Sequence, residues 1–180
     1  MISNYINLLT LLRIFFAVII SILLILGDSY FTALILFFFA GISDYFDGYF
    51  ARKYNAASEV GEILDPIADK ILIIFILVTL SVNLSSFLLA FSSSVIISRE
   101  IWVSALRDYN ARNNISSATK VTYLAKIKTT VQLFTIFLYL FGLAINKMIF
   151  IVFGDVFLIL SVLVTLYTGY EYTLNSLKSK

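Results

Sequence analysis

Apolar residues dominate this chain in blocks of roughly 20, the length a helix needs to cross the hydrocarbon core of a bilayer. Six such blocks stand out: Leu8 to Leu26, Tyr30 to Ala51, Ser58 to Val82, Leu84 to Leu106, Val121 to Ile145 and Met148 to Tyr170. The breaks at Gly27–Ser29, at Asn83 and at Asn146–Lys147 are only a few residues long. Helices joined so tightly are antiparallel neighbours, so the pattern predicts an all-α integral membrane protein, a bundle of six transmembrane helices in one domain, residues 1–180. The first block lacks a basic start and a small-residue cleavage site, and it reads as the first span rather than a removable leader.

The third block contains the only proline, Pro66. A helix could begin there with Asp65 as its cap. It could instead begin at Ser58, carry Glu59 and Glu62 in its first turn, and bend at Pro66. The second reading is preferred, because only a helix running through Gly61 sets Gly61, Asp65 and Asp69 in one line.

Lys and Arg collect on one set of helix ends, at Arg52, Lys53, Arg107, Arg112, Lys120, Lys178 and Lys180, against Lys147 alone on the other. The positive-inside rule then places both termini and the polar ends of the second to fifth blocks in the cytoplasm of a multi-pass inner-membrane protein. Composition agrees: 61% of the 180 residues are hydrophobic and 13% charged, with a mean hydropathy of +0.97, outside the range of soluble domains. The net charge of +2 says little about partners; the hydropathy makes membrane lipid the expected partner, and no nucleic acid is expected.

The chain has no Cys and no His. Thiol nucleophiles, disulfides and thiolate metal sites are excluded, and the usual general base and zinc ligand are missing. Acid–base work falls to Asp, Glu, Lys or Tyr, and a metal site must be oxygen-ligated, which favours Mg²⁺, Mn²⁺ or Ca²⁺.

Against that background four aspartates stand close together. Asp44 and Asp47 are three apart and share a helix face; Asp65 and Asp69, with Gly61, step by four and share another. Carboxylates near a bilayer are costly and mark function. As ordinary interfacial acids they would need bases, yet Arg52, Lys53 and Lys70 do not balance Asp44, Asp47, Glu59, Glu62, Asp65 and Asp69. The spacing instead predicts a two-metal site for Mg²⁺ or Mn²⁺, which clamps a phosphate or pyrophosphate for in-line attack. Gly48, Ala51 and Gly61 are small where the second and third helices are expected to cross. Arg52 lies at the rim, placed to reach phosphate.

A second polar group lies further on, in S-R-E-I-W-V-S-A-L-R and A-K-I-K-T-T-V-Q. Arg99, Arg107, Lys126 and Lys128 are cations in or beside apolar segments, where a cation wants an anionic partner. Snorkelling explains Arg112 and Lys120; the inner four predict a pocket for a phosphate on an acceptor. Most of the 17 Phe, 11 Tyr and one Trp, including Phe37–Phe39, read as lipid-facing or core packing.

The pattern D-x2-D-G-x2-A-R-x8-G-x3-D-x3-D, from Asp44 to Asp69, resembles the signature of the CDP-alcohol phosphotransferase family at every defining position. The resemblance implies attack of an alcohol on the β-phosphoryl of a CDP-linked lipid, release of CMP, and a six-helix bundle whose active site faces the cytosol. It also implies Asp44, Asp47 and Asp65 as metal ligands, with Asp69 both near the metals and the base for the attacking hydroxyl. Gly48, Arg52 and Ser58 would hold the CDP moiety of CDP-diacylglycerol, with Asn7 and Thr10 as further nucleotide contacts, and the family resemblance implies a homodimer. R-E-x3-S-x-L-R at Arg99, A-K-I-K-T at Ala125 and T-L-L-R-I at Thr10 are similar to the phosphatidylglycerophosphate synthase branch. That branch implies sn-glycerol 3-phosphate as acceptor. Ala125 stands where the branch usually has Gly, and Ile6 where Pro is common. Two other readings remain at this level: another acceptor (an inositol phosphate or phosphatidylglycerol), and a divalent-cation transporter.

Overall fold

A computed structural model describes residues 2–27, 29–54, 59–113 and 123–178; within these, the side chains of 2–7, 44–52, 54, 59–60, 62–63 and 125 are not described. The described residues form six helices: α1 Ile2–Leu26, α2 Tyr30–Tyr54, α3 Glu59–Asn83, α4 Phe87–Arg112, α5 Tyr123–Ala144 and α6 Met148–Lys178. Each tightly joined pair packs together as expected, α1 on α2, α3 on α4 and α5 on α6. Further contacts of α1 with α3, α4 with α6, and α5 with α2 and α3 close the bundle.

Four helices, α1, α4, α5 and α6, carry stretches long and apolar enough to cross a membrane, and α2 carries a shorter apolar stretch, Tyr30–Ser43. The protein is therefore a multi-pass membrane protein. Its core is a column of side chains in which Ala17, Ile20 and Leu24 of α1 join Leu72, Ile76 and Leu80 of α3 and Ile136, Tyr139 and Leu140 of α5. Large apolar residues on the other faces point outwards, among them Phe15 and Ile22 of α1 and Val156, Leu163 and Tyr170 of α6. In water such a surface would aggregate; against lipid it costs nothing.

Pro66 lies inside α3, eight positions in front of Ile74, and does not start it. The helix runs through Gly61, which is buried, so Gly61, Asp65 and Asp69 do share a face; Ser58 lies outside the described residues. The predicted boundaries move where hydropathy and hydrogen bonding differ. α4 begins at Phe87 rather than Leu84, because Ser85 takes a positive φ of 48° and Ser86 caps the helix, its side chain accepting from the Leu89 amide. α4 and α6 continue beyond the predicted Leu106 and Tyr170 to Arg112 and Lys178. Helical hydrogen bonding does not stop where the apolar residues stop. At the first turn Gly27 has φ +77°, a conformation that glycine adopts without steric cost.

α4 is polar for a membrane helix, and α6 answers it. Asn110 Nδ2 donates to Ser176 Oγ at 2.7 Å and Trp102 Nε1 to Thr173 Oγ1 at 2.9 Å. Such interhelical bonds contribute about 0.6–2 kcal/mol each in a membrane. They fix α4 against α6 and so fix the direction in which Arg99, Glu100 and Arg107 project.

Candidate functional site

The α3 aspartates open onto a cavity of about 460 Å³ lined by α3, α4 and α5. From α3 come Asp65, Asp69 and Lys70; from α4, Arg99, Glu100 and Arg107; from α5, Lys126, Lys128, Thr129 and Gln132. The size suits a small ligand. Among the described residues three carboxylates face five cations there, and the wall built by α4 and α5 suits an anion.

Both α3 aspartates are held from α1. Thr10 is fully buried, and its hydroxyl donates to Asp65 Oδ1 at 2.7 Å. Arg13, one helical turn on, is 1% exposed, and its Nη1 donates to Asp69 Oδ1 at 2.5 Å. The structure turns the Thr10 hydroxyl to the Asp65 carboxylate. Arg13 was not among the predicted site residues. A cation in the middle of the most apolar first block, three positions after Thr10 and so on the same face, was the signal.

On the opposite wall, Glu100 organises the cations. Its Oε1 accepts from Arg99 Nη1 at 2.9 Å and also from Lys128 Nζ, while Lys70 Nζ lies 3.9 Å from Oε2. Arg99 and Lys128 thus share one carboxylate, that of the residue directly after Arg99. Arg99 is also tied to α6: Nε donates to the Thr165 carbonyl at 3.1 Å and Nη2 to Thr168 Oγ1 at 2.8 Å. It passes α6 at Gly169, where an added Cβ would lie 3.0 Å from Arg99 Cγ. A side chain there would require Arg99 to give by a few tenths of an ångström.

Arg107 differs. Its guanidinium lies over the Tyr172 ring, 5.5 Å from the centroid, and its buried Nε has no hydrogen-bond partner among the described residues. A buried donor without an acceptor is costly, and Arg107 lines the cavity. Lys126 is exposed at the edge of the same cavity. The structure therefore brings together Asp65, Asp69, Arg99, Arg107, Lys126 and Lys128. Asn7, Asp44, Asp47, Gly48, Arg52 and Ser58 lie outside the described side chains.

Among the described residues no group of three potential ligands converges on a metal position. The donor set nevertheless fits a hard divalent cation. Asp65 and Asp69 offer only oxygen, are half-exposed on one face of α3, and line the cavity.

The Arg13 contact has a measurable consequence. Arg13→Gln is expected to lower stability in detergent by about 1.5–3 kcal/mol, the value of a hydrogen bond to a charged group. A lowered midpoint of thermal unfolding checks it; an unchanged midpoint contradicts it.

An α-helical membrane bundle with carboxylates facing cations across one cavity is the frame in which the relatives fall. The profile of the CDP-alcohol phosphatidyltransferase family matches residues 3–167, and the chain belongs to that family. It is 34% identical over 175 residues to the CDP-diacylglycerol–glycerol-3-phosphate 3-phosphatidyltransferase of Rickettsia typhi, covering 94% of this chain and 95% of the relative. The enzyme of the same name from Rickettsia bellii is 37% identical over 139 residues, 77% of this chain and 75% of the relative. That from Escherichia coli K12 is 36% identical over 105 residues, 58% of each chain.

Proposed function

We propose that this protein transfers the phosphatidyl group of CDP-diacylglycerol to sn-glycerol 3-phosphate, releasing phosphatidylglycerol phosphate and CMP. The observation that carries the reading is the single cavity in which the α3 aspartates face Arg107, Lys126 and Lys128. One wall suits a reacting hydroxyl and a metal-held diphosphate, and the other suits a phosphate on the acceptor. The names of the relatives support the same substrates.

In this reading Asp69 takes the proton from the attacking hydroxyl of the acceptor. The new bond forms from that oxygen to the β-phosphorus, and the bond from phosphorus to the CMP oxygen breaks, CMP leaving with the electron pair. Arg13 holds the Asp69 carboxylate in place, and Thr10 does the same for Asp65. Arg107, Lys126 and Lys128 bind the acceptor phosphate, and Arg99 acts through Glu100 and α6. Gly48, Arg52, Ser58 and Asn7 serve the CDP moiety by family resemblance. Asp44, Asp47, Asp65 and Asp69 would hold two divalent cations, Mg²⁺ or Mn²⁺, which supply charge neutralisation at the diphosphate when bound. All six helices span, with both termini and the site in the cytoplasm, on the strength of the Lys and Arg placement. A homodimer belongs to the same reading by family resemblance. Cation conduction is disfavoured, since in this reading the aspartates lie toward one membrane face, whereas transporter sites usually lie near the midplane.

The test is purified protein with CDP-diacylglycerol and a panel of acceptors, reading CMP. Release is expected only with sn-glycerol 3-phosphate, to vanish in chelator, and to return with Mg²⁺ or Mn²⁺. Full turnover in chelator, with trace metal excluded by elemental analysis, would contradict the metal assignment. Release with inositol phosphate instead would move the acceptor.

A further inference from the structure

Glu100 is placed oddly for a residue that only neutralises cations. Its side chain is 12% exposed, it lines the cavity, and its Oε1 takes both of its hydrogen bonds, from Arg99 and Lys128. Oε2 takes none among the described residues. Its nearest cation there, Lys70 at 3.9 Å, is beyond hydrogen-bond reach and donates instead to Ser104 Oγ at 2.7 Å. A carboxylate oxygen has room for about two donors, and Glu100 lines the cavity. The cavity wall therefore presents an acceptor that a ligand can reach.

The donor that completes it must be compatible with the rest of the cavity. An ammonium group is disfavoured by the excess of cations. A neutral hydroxyl on an otherwise anionic molecule satisfies both demands, its phosphate matching the cations and its O–H matching Oε2. Location narrows this further. Lys70, the α3 neighbour of Asp69, is the residue that approaches Glu100. Arg107 lies seven positions along α4 from Glu100, two helical turns and roughly 10 Å away on the same face. Glu100 thus lines the same cavity as Asp69 and Arg107.

We propose that Glu100 is a specificity-determining residue that reads a second hydroxyl of the acceptor, the one beside the hydroxyl that reacts. The proposal rests on the transfer reaction proposed above and adds to it a requirement for a vicinal diol on the acceptor. Oε2 accepts a hydrogen bond from the neighbouring hydroxyl, while Arg107, Lys126 and Lys128 hold the phosphate and Asp69 faces the reacting oxygen. Oε1 keeps Arg99 and Lys128 in position for that contact.

The test compares two acceptors on two proteins. sn-Glycerol 3-phosphate carries the middle hydroxyl; 3-hydroxypropyl phosphate keeps the phosphate and the primary hydroxyl and lacks it. Wild-type protein is expected to prefer the first in kcat/KM by on the order of 10- to 100-fold, the range for a hydrogen bond to a charged acceptor. Glu100→Gln replaces the acceptor by an amide whose carbonyl can still face Lys128 and Arg99 and whose NH₂ then faces the cavity. Both rates fall, because a charge is lost among cations, but the preference is expected to shrink toward unity. Equal losses on both acceptors, with the preference kept, overturn the proposal and leave Glu100 as a neutralising group. A wild-type protein that uses the two acceptors equally overturns it as well, and this arm stands even if the variant does not fold. A wild-type protein that releases CMP with neither acceptor removes the transfer reading itself, and the proposal with it.

Discussion

Asp69→Asn is expected to lower kcat by about 10²–10⁴-fold, the usual contribution of a positioned general base. The substitution is well suited to the geometry. Arg13 donates to Asp69 Oδ1, and an asparagine carbonyl can accept the same bond, so the α1–α3 contact survives while the proton acceptor is lost. Rates of CMP release at saturating CDP-diacylglycerol and acceptor, in protein with an unchanged elution profile, measure the effect. A kcat near that of the wild type would require another base. Asp44→Asn and Asp65→Asn are expected to act differently, weakening metal or CDP-lipid affinity in preference to the turnover rate, because those carboxylates are assigned to ligation alone.

The second large effect concerns the acceptor. Arg107→Ala and Lys128→Ala are each expected to raise the apparent KM for sn-glycerol 3-phosphate by roughly 10- to 150-fold. Charge-assisted bonds to phosphate in a partly dry cavity contribute roughly 1.5–3 kcal/mol each, and about 1.4 kcal/mol corresponds to tenfold. Arg107 gives the cleaner result, since its buried Nε lacks a partner among the described residues and its removal disturbs no carboxylate. Lys128 also holds Glu100, so its loss frees an anion beside the phosphate and lies at the upper end of the range. Affinity for CDP-diacylglycerol is expected to change little in both. Loss of CDP-lipid affinity with a normal acceptor KM would assign these residues to the donor.

Much of the fold was legible because a membrane imposes one length and short turns impose antiparallel neighbours. The α3 register was legible too, since a four-residue step through Gly61, Asp65 and Asp69 has meaning only on a helix. Segment ends were less so: the turn at Ser85 and Ser86 is a matter of backbone conformation and capping, to which hydropathy is blind. The apolar pattern suggested six spans, and among the described residues four helices are long and apolar enough to cross a membrane. Within the site, residues with a motif or an odd charge were found. Their partners were not, because Arg13 meets Asp69 across 56 positions and Lys128 meets Glu100 across 28. Sequence spacing carries no information about pairs formed only when α1 packs on α3 and α5 approaches α4. Thr10 shows the same limit: its hydroxyl meets Asp65 across 55 positions.

The most direct measurement follows one label through one turnover. Purified protein in detergent micelles receives CDP-diacylglycerol, Mg²⁺ or Mn²⁺, and sn-glycerol 3-phosphate labelled in its glycerol carbons. The expected result is label in the lipid phase as phosphatidylglycerol phosphate, one equivalent for each CMP released, with both products slowed about 10²–10⁴-fold when Asp69 is replaced by Asn. CMP release without label in lipid, or label transfer at the wild-type rate in Asp69→Asn, would contradict the assignment of this cavity to phosphatidyl transfer.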